Sequence, residues 1–458
     1  MEKETIAAIA TAMTNAGISI VRISGEHAFD VIDRIYRSKS GKKQLSQQKT
    51  HTIHYGYIVS DEEIIDEVMV LLMRGPNSYT REDTVEIDCH GGVLVTQQVL
   101  EVVCKNGARV AEPGEFTKRA FLNGRIDLSQ AESVIDVINA KNTFALQSSM
   151  HQLQGVVSEK IRSIREILIH EIAFIEAALD DPEHMSLDGY SEKLNQILIK
   201  LKKQMQHLLA QADNGRILKE GINTVIVGKP NAGKSSLLNL LVGHERAIVT
   251  EIAGTTRDVI EEQIHLHGIS LNIMDTAGIR ETSDVIEQIG VTKTMEYMSN
   301  ADLIIHVIDA SKPLTEEDKT ILVQNRNKKA IILLNKNDLN TVIEKQEIQS
   351  LTEQKVLSLS AKKGNGLELL EESIKEMFFH GEVKVNDEVY LTNVRHKTAM
   401  QEALESIQMV EQSILSGMPE DFYSIDLMNA YTALGKIIGE SVEEDLVNEI
   451  FQKFCMGK

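Results

Sequence analysis

Residues 224–235 read Thr-Val-Ile-Val-Gly-Lys-Pro-Asn-Ala-Gly-Lys-Ser, and they decide the fold of the segment around them. The β-branched run at 224–227 predicts a short buried strand, and Gly228 to Ser235 fits the pattern G-x-x-x-x-G-K-S that links such a strand to a helix. Glycines let backbone N–H groups turn inward around phosphate oxygens, and the N-terminus of the following helix favours the same charge. The stretch therefore predicts a phosphate-binding loop in which Lys234 neutralises phosphate charge and Ser235 offers its hydroxyl to Mg²⁺.

Two segments with the character of switch loops follow. Residues 254–258, Gly-Thr-Thr-Arg-Asp, would place Thr256 on Mg²⁺ and the γ-phosphate. Residues 275–278, Asp-Thr-Ala-Gly, come directly after a predicted strand at 271–274. That position puts Asp275 near the metal and Gly278 at the γ-phosphate, so both segments predict a nucleoside triphosphate site.

The last two segments predict which base is bound. Residues 335–338, Asn-Lys-Asn-Asp, follow a predicted apolar strand at 331–334. The Asp338 carboxylate can accept hydrogen bonds from guanine N1–H and the exocyclic amine, which adenine does not offer, and a selection of this kind is large. Residues 360–362, Ser-Ala-Lys, would complete the base pocket. The complete ordered set predicts a chain that binds and hydrolyses GTP.

The means of hydrolysis is less evident from the residues. Ile279 stands after the Asp-Thr-Ala-Gly segment, where Ras-like proteins have a glutamine that orients the attacking water. Another group must orient that water, and the nearby carboxylates are Glu281, Asp284 and Glu287. The transition state also needs positive charge, which Arg257, Arg280 or a bound cation could supply.

The segments around the nucleotide-binding region predict further domains. Residues 1–118 combine strand-type runs at 18–23, 67–73 and 85–89 with a helix ending near 105, which predicts an α+β domain. Residues 119–219 and 380–458 have helical periodicity, with helices predicted at 191–212, 394–415, 422–438 and 441–454. Helix on both sides of the α/β segment at 220–379 suggests a GTPase domain inserted into one helical domain, although two separate helical domains would give the same pattern.

Composition bounds the class of protein. The chain has 458 residues, with 68 Asp and Glu against 48 Lys and Arg, a net charge of −20. Such an acidic chain is a poor generic binder of nucleic acid, although a local basic patch is not excluded. Three cysteines without C-x-x-C pairing, no signal peptide pattern and no apolar run of membrane-spanning length predict a cytoplasmic protein that does not enter the membrane.

Several blocks outside the nucleotide motifs are more selective. They read Ile-Val-Arg-Ile-Ser-Gly at 20–25, Gly-Pro-Asn-Ser-Tyr-Thr at 75–80, Pro-Gly-Glu-Phe at 113–116, Arg-Ala-Phe-Leu-Asn-Gly at 119–124 and Phe-Cys-Met-Gly-Lys at 454–458. With these blocks, the chain resembles the MnmE (TrmE) family of bacterial tRNA-uridine modification GTPases over essentially its whole length.

The resemblance implies a three-domain organisation and a set of ligands. It implies that the N-terminal domain binds a 5,10-methylene- or 5-formyl-tetrahydrofolate and forms a constitutive homodimer, and that the G domains associate during turnover. K⁺ is implied at the G-domain interface in place of an arginine finger. Among the three nearby carboxylates, the resemblance selects Glu287 as the group that orients water.

The same resemblance, joined to the motifs, fixes the expected site residues. Those for GTP are Asn231, Ala232, Gly233, Lys234, Ser235, Ser236, Thr250, Thr255, Thr256, Asp275, Thr276, Ala277, Gly278, Asn335, Lys336, Asp338, Ser360, Ala361 and Lys362. The expected catalytic groups are Glu287, Lys234 and Thr256. The Mg²⁺ ligands are Ser235 and Thr256, and the K⁺ ligands are Asn231, Thr250, Ile252 and Thr255. The folate residues are Arg22, Glu86, Arg125 and Lys458, and Cys455 is a hypothetical chemical group.

The resemblance implies that the chain carries out its function together with a partner protein. A flavin-containing partner, MnmG (GidA), which carries FAD, would form a heterotetramer with the chain and act on tRNA. Together they would install an aminomethyl or carboxymethylaminomethyl group at C5 of the wobble uridine. Two rival hypotheses remain: a regulatory GTPase of ribosome assembly, and a folate-dependent one-carbon enzyme that GTP merely regulates.

Overall fold

The computed structural model of the chain describes residues 4–41, 43–140, 142–244, 262–266, 269–274, 297–326, 328–379, 391–440, 442, 444–452, 454 and 457. These residues form two compact units. The first consists of Met1–Ile135, Gln152–Ile199 and Ala399–Lys458, and the second of Asp136–His151 and Lys200–Thr398. No described helix is both long and apolar enough to cross a bilayer.

The N-terminal part of the first unit is a seven-stranded sheet. Its elements are β1 (Ile6–Ile9), β2 (Ile18–Ser24), α1 (Ala28–Ile35), β3 (Tyr36–Ser38), β4 (Thr52–Ser60), β5 (Glu63–Met73), β6 (Thr84–His90), α2 (Val93–Lys105) and β7 (Arg109–Val110). The strand order is β3-β4-β5-β6-β2-β1-β7, antiparallel except where β1 meets β7. The three predicted strands and the predicted helix are confirmed.

Alternation along the strands gives this sheet two different faces. Val21 and Ile23 of β2 are fully buried in one core with residues of α1 and α2. Because successive side chains of a strand point to opposite faces, Arg22 between them lies on the other face. That second face is the one on which the charged side chains of β2 and β6 meet.

Helices follow the sheet along the chain. They are α3 (Glu115–Leu122), α4 (Leu128–Ile138), α5 (Thr143–Leu153), α6 (Val156–Asp180) and α7 (Tyr190–Glu220). Helix α7 starts one residue before its predicted start but continues eight residues past the predicted end at Ala212. Asn214 and Gly215 are poor helix formers, which favours an early end. Ile217, however, is buried in the core of the second unit, so packing overrides that local preference.

The second unit contains a six-stranded sheet. Its elements are β8 (Ile222–Val227), α8 (Lys234–His244), β9 (Glu262–Leu266), β10 (Ile269–Met274), β11 (Leu303–Asp309), α9 (Glu316–Gln324), β12 (Ala330–Asn335), α10 (Lys345–Gln349), β13 (Lys355–Ser358) and α11 (Leu367–Phe379). The order is β13-β12-β11-β8-β10-β9, and only β9 runs antiparallel to its neighbour. The strands predicted at 224–227, 271–274 and 331–334 are therefore confirmed. In open sheets of this type, ligands bind beyond the carboxyl ends of the parallel strands.

Three helices complete the chain: α12 (Val394–Leu415), α13 (Asp421–Ile438) and α14 (Glu444–Gln452). The first two have the predicted extents to within one residue, and α14 is shorter than predicted. Within the first unit, α13 packs against α6, where the Arg165 guanidinium lies 4.0 Å from the centre of the Tyr431 ring and also contacts Glu440. The mixed α/β and helical organisation of the fold class is confirmed.

Candidate functional site

The loop between β8 and α8 has a backbone that only glycine accommodates at two positions. Gly228 has φ +140°, and a Cβ there would lie 2.2 Å from the Val307 carbonyl oxygen. Gly233 has φ +104°, and its Cβ would lie 2.0 Å from Asn335 Nδ2. The two glycines of the motif are thus required by close approach as well as by conformation.

Side-chain donors hold the carbonyl groups of this loop. Lys234 Nζ donates to the Gly228 oxygen at 2.5 Å and to the Lys229 oxygen at 3.0 Å. Lys336 Nζ donates to the Asn231 oxygen at 2.9 Å. The first-turn amides of a helix have no acceptor within the helix, and those of α8 follow a loop in which side-chain donors already occupy the carbonyl oxygens of Gly228, Lys229 and Asn231. This arrangement suits the binding of an anion such as a phosphate group.

Burial affects the charge of the loop lysine. The ammonium group of Lys234 is largely withdrawn from water, which lowers its pKa, while Glu317 acts in the opposite direction. A lysine in such a place gains from a ligand of opposite charge, because that ligand replaces the lost hydration.

Asn335 joins the phosphate-binding loop to the predicted base pocket. Its side chain is buried, with Nδ2 donating to the Ala232 oxygen at 2.9 Å and Oδ1 accepting from the Ala361 N–H at 3.0 Å. One amide therefore connects two segments that the sequence separates by more than a hundred residues. Both lie at the carboxyl ends of parallel strands.

Asp338 follows Asn335 by three residues, and one of its carboxylate oxygens already accepts a hydrogen bond. Ser360 Oγ donates to Asp338 Oδ1 at 2.7 Å, and this bond lowers the pKa of Asp338, as do the charges of Lys363 and Lys362. The carboxylate is consequently ionised at neutral pH and can only accept hydrogen bonds. An ionised acceptor fixed in this way matches the two donors on the edge of guanine.

A second group of predicted residues meets on the outer face of the N-terminal sheet. Arg22 and Glu86 are direct neighbours in register, with Arg22 Nε 2.7 Å from Glu86 Oε1. Arg22 also donates to the Gly457 carbonyl oxygen at 3.1 Å. The guanidinium carbons of Arg22 and Arg125 lie 5.7 and 4.6 Å from the centre of the Tyr79 ring. Two of the four predicted folate residues, Arg22 and Arg125, are therefore brought together at one aromatic ring, and a third, Glu86, pairs with Arg22.

Sequence reasoning did not single out three residues that belong to these sites. Tyr79 lies in the family block at 75–80, and its place in that block is the one sequence signal that could identify it as a site residue. Phe116, whose ring centre lies 5.6 Å from the Arg22 guanidinium, had the same signal. His306 of β11 is fully buried beside the loop, where burial lowers its pKa to about 4, helped by Lys234 and opposed by Asp318. A histidine inside an apolar run gave no signal of that position.

Ser235 and Ser236 lie in the first turn of α8, directly after Lys234. The predicted residues not yet placed lie outside the described residues. They are Thr250, Ile252, Thr255, Thr256, Asp275, Thr276, Ala277, Gly278, Glu287, Cys455 and Lys458. Their roles in binding GTP, Mg²⁺, K⁺ or folate, and in catalysis, stay predictions.

The parallel sheet, the loop at its carboxyl edge and the Asp338 pocket together define a P-loop protein of the guanine-nucleotide-binding class. Residues 128–455 match a family model described as the MnmE helical domain, and residues 5–125 match one described as the N-terminus of the GTP-binding protein TrmE. The chain belongs to the MnmE (TrmE) family of tRNA modification GTPases.

Individual relatives agree over the full length. A tRNA modification GTPase MnmE of Lachnoclostridium phytofermentans is 62% identical over 458 residues, covering 100% of both chains. The protein with the same description from Acetivibrio thermocellus is 50% identical over 462 residues and also covers 100% of each chain. Among solved structures, the G domain of the T. maritima FeoB iron transporter is 28% identical over 34% of this chain and 98% of its own, with a TM-score of 0.26.

Proposed function

We propose that the chain is a potassium-dependent GTPase that acts with a flavin-containing partner to modify C5 of the wobble uridine in certain tRNAs. One observation supports the binding of a guanine nucleotide most directly. The Asn335 amide hydrogen-bonds both the phosphate-binding loop and the base pocket, and the ionised Asp338 carboxylate lies beside it. Family membership supports the tRNA part. GTP turnover would supply an order change in the switch segments.

Two charge pairs near the loop support the need for an added cation. Lys229 Nζ lies 2.8 Å from Asp318, and Lys336 Nζ lies 2.6 Å from Asp309. Both lysines are thereby neutralised, which leaves Lys234 as the loop lysine without a carboxylate partner among the described residues. Charge that develops in phosphoryl transfer requires positive groups close by. Bound K⁺ would supply one such charge, and Asn231, Thr250, Ile252 and Thr255 are the proposed ligands.

The hydrolysis rate is expected to depend on which monovalent cation is present. In KCl the steady-state rate should be at least about 10-fold higher than in NaCl of equal ionic strength, which corresponds to about 1.4 kcal/mol of selective transition-state stabilisation. Equal ionic strength matters because general screening then acts alike in both salts.

A Glu287→Ala variant completes that experiment. If Glu287 orients the attacking water, the variant keeps its affinity for GTP and loses turnover in both salts. Equal rates of the wild-type chain in KCl and NaCl would contradict the potassium mechanism and favour the regulatory GTPase. Unchanged turnover of Glu287→Ala would contradict the proposed role of that carboxylate.

We further propose that the Arg22 cluster binds a tetrahydrofolate. The guanidinium groups of Arg22 and Arg125 both lie over the aromatic ring of Tyr79, and both groups can pair with carboxylates. A folate carries a flat pterin ring and an anionic glutamate tail, so the cluster fits both ends chemically. Lys458 and Glu86 are the other proposed contacts, and the bound folate would supply the one-carbon unit.

Replacing Arg22 with methionine is expected to weaken binding of 5-formyltetrahydrofolate by about 10- to 100-fold, because a charge-assisted hydrogen bond contributes about 1.5–3 kcal/mol. Isothermal titration calorimetry of both proteins measures the change. Arg34→Met is the matched control, since exposed Arg34 donates to the Asn106 oxygen and lies away from the cluster. Equal affinity of Arg22→Met and wild-type protein would refute the assignment, and no binding by the wild type would refute the folate site itself.

The exposed face of β4 and β5 supports a proposed homodimer. Ile53, Tyr55 and Met69 are 64%, 52% and 42% exposed, and Tyr55 and Met69 are direct neighbours in register. Contiguous exposed apolar side chains of this kind mark an interaction surface, which we assign to a second copy of the chain. Sedimentation velocity should give a dimer for the wild type and a monomer for Tyr55→Glu with Met69→Glu, and a monomeric wild type would contradict the assignment.

The charge of the chain supports a partner that provides much of the tRNA-binding surface. Phosphate contacts need clustered Lys and Arg, whereas this chain has a net charge of −20. The flavin-containing partner should therefore raise tRNA affinity strongly over that of the isolated chain in filter binding at fixed salt. Equally tight binding of tRNA by the chain alone would contradict the proposal that the partner provides much of the tRNA-binding surface.

A further inference from the structure

Lys229, the second residue of the phosphate-binding loop, directs its ammonium group to helix α9. Its Nζ lies 2.8 Å from Asp318 Oδ2 and 2.9 Å from Thr315 Oγ1. The Asp318 side chain is 2% exposed and that of Lys229 is 22% exposed. The contact is therefore a mostly buried ion pair, whose loss on one side leaves a charge without a partner.

Asp318 also closes the N-terminus of α9. Its Oδ2 accepts from the Thr315 backbone N–H at 3.0 Å, and the Thr315 side chain accepts in return from the Asp318 backbone N–H, which forms a capping box. Asp318 Oδ2 also accepts from Thr315 Oγ1 at 2.8 Å. Burial alone would raise the pKa of Asp318, yet the bonds from Lys229 and Thr315 outweigh it and hold the pKa below its ordinary value. One ionised carboxylate thus fixes the start of a helix and one residue of the loop.

The backbone of Lys229 links this pair to the anion-binding geometry. Its carbonyl oxygen accepts from Lys234 Nζ at 3.0 Å and from the Ala232 N–H at 3.2 Å. Lys229 directly follows Gly228, and the backbone of Gly228 lies against the Val307 carbonyl group. A shift of Lys229 would therefore move the acceptor that holds Lys234 and the turn that shapes the loop.

We propose that Asp318 is a positioning residue for the nucleotide site: through Lys229 it holds the phosphate-binding loop in its anion-binding conformation. The inference rests on the proposed binding of guanine nucleotides and deepens it. It assigns the side chain of Lys229 to the support of the loop, whereas a lysine at this place in the motif could equally be expected to contact phosphate directly. The loop is pre-organised in this way, so less ordering is needed when the ligand binds.

The test compares Asp318→Asn, Lys229→Met and their combination in the full chain, with a fluorescent GDP analogue as the probe. Each single variant should bind the analogue about 10-fold more weakly, the equivalent of about 1.4 kcal/mol. The combined variant should bind no more weakly than the worse single variant, because both changes remove the same link. Thermal unfolding of each protein is recorded beside the affinity.

Three results would overturn the proposal. Lower melting temperatures with unchanged affinity would reduce the pair to a purely structural role. A loss of affinity in Lys229→Met alone, with Asp318→Asn unaffected, would place Lys229 on the phosphate. Failure of the wild-type chain to bind the analogue would overturn the proposed nucleotide function together with this inference. The first two results, in contrast, would overturn this inference and leave nucleotide binding intact.

The combined variant and a control variant distinguish a loss of affinity from a loss of folding. If a single variant does not fold, the combined variant carries the test, because it leaves no lone buried charge and the amide introduced at position 318 can still accept from Thr315. The matched control is Glu316→Gln with Lys319→Met, which removes an exposed ion pair of 2.7 Å from the same helix. Exposed pairs contribute little, so the control should bind the analogue as the wild type does.

Discussion

Replacing Asp338 with asparagine is expected to change the base that the chain accepts. GTP affinity should fall by about 10³-fold or more, because the site then presents an amide N–H₂ to the N1–H and the amine of guanine, and unpaired buried donors are strongly rejected. Xanthosine triphosphate carries a carbonyl where guanine has the amine, so the new amide has an acceptor. Competition of both nucleotides against a fluorescent GDP analogue measures the switch.

The second nucleotide is an internal control for folding in that experiment. A variant that binds xanthosine triphosphate well and GTP poorly has an intact phosphate-binding loop. Ser360 Oγ, which donates to Asp338 Oδ1, can keep its bond to the amide oxygen that the substitution introduces, so the pocket should retain its shape. Undiminished affinity for GTP would mean that Asp338 does not read the base.

Replacing Gly233 with alanine is expected to abolish nucleotide binding at micromolar concentrations. The added Cβ would lie 2.0 Å from Asn335 Nδ2, and φ there is +104°, which side chains rarely adopt. Asn335 would have to move, and it is the amide that joins the loop to the base pocket. The affinity loss should exceed about 100-fold, with about 1–3 kcal/mol of lost stability from the strained backbone.

Gly243→Ala is the matched control for that substitution. Gly243 lies in the same helix that follows the loop, and no atom of the described residues stands within 4 Å of a Cβ added there. The control should bind nucleotide normally and lose no stability, since alanine is a better helix former than glycine and no described atom opposes its Cβ. Affinity and chemical denaturation of the two variants together check the argument, and a tight-binding Gly233→Ala protein would contradict it.

Local patterns explain what could be predicted from the sequence. The motif at 228–235 is contiguous, and the apolar runs before it and before Asn335 mark buried parallel strands whose carboxyl ends share one edge. The position of Asp338 near the loop therefore followed from topology alone. The fold class followed for the same reason, because α/β alternation and long helical periodicity are both readable over short windows.

Contacts between distant segments explain what could not be predicted. Nothing in the local sequence indicates that Lys229 pairs with Asp318, since that contact depends on where α9 starts after β11. The register that sets Arg22 beside Glu86 is likewise a property of the assembled sheet. The folate residues are implied by the family resemblance, whereas the contact of the Tyr79 ring with both Arg22 and Arg125 is visible only in the fold.

The packing of α6 against α13 bears on how the chain is made on the ribosome. Helix α6 ends at Asp180 and α13 begins at Asp421, so 240 residues, 181 to 420, emerge between them. At roughly 5–20 residues per second, synthesis of that interval takes roughly 12–48 s. For that time α6, whose buried side chains include Ile161 and Leu168, lacks the helix α13 that packs against it. The nascent chain should therefore be a client of chaperones that hold exposed apolar helices, and translation arrest before residue 421 should leave it prone to aggregate.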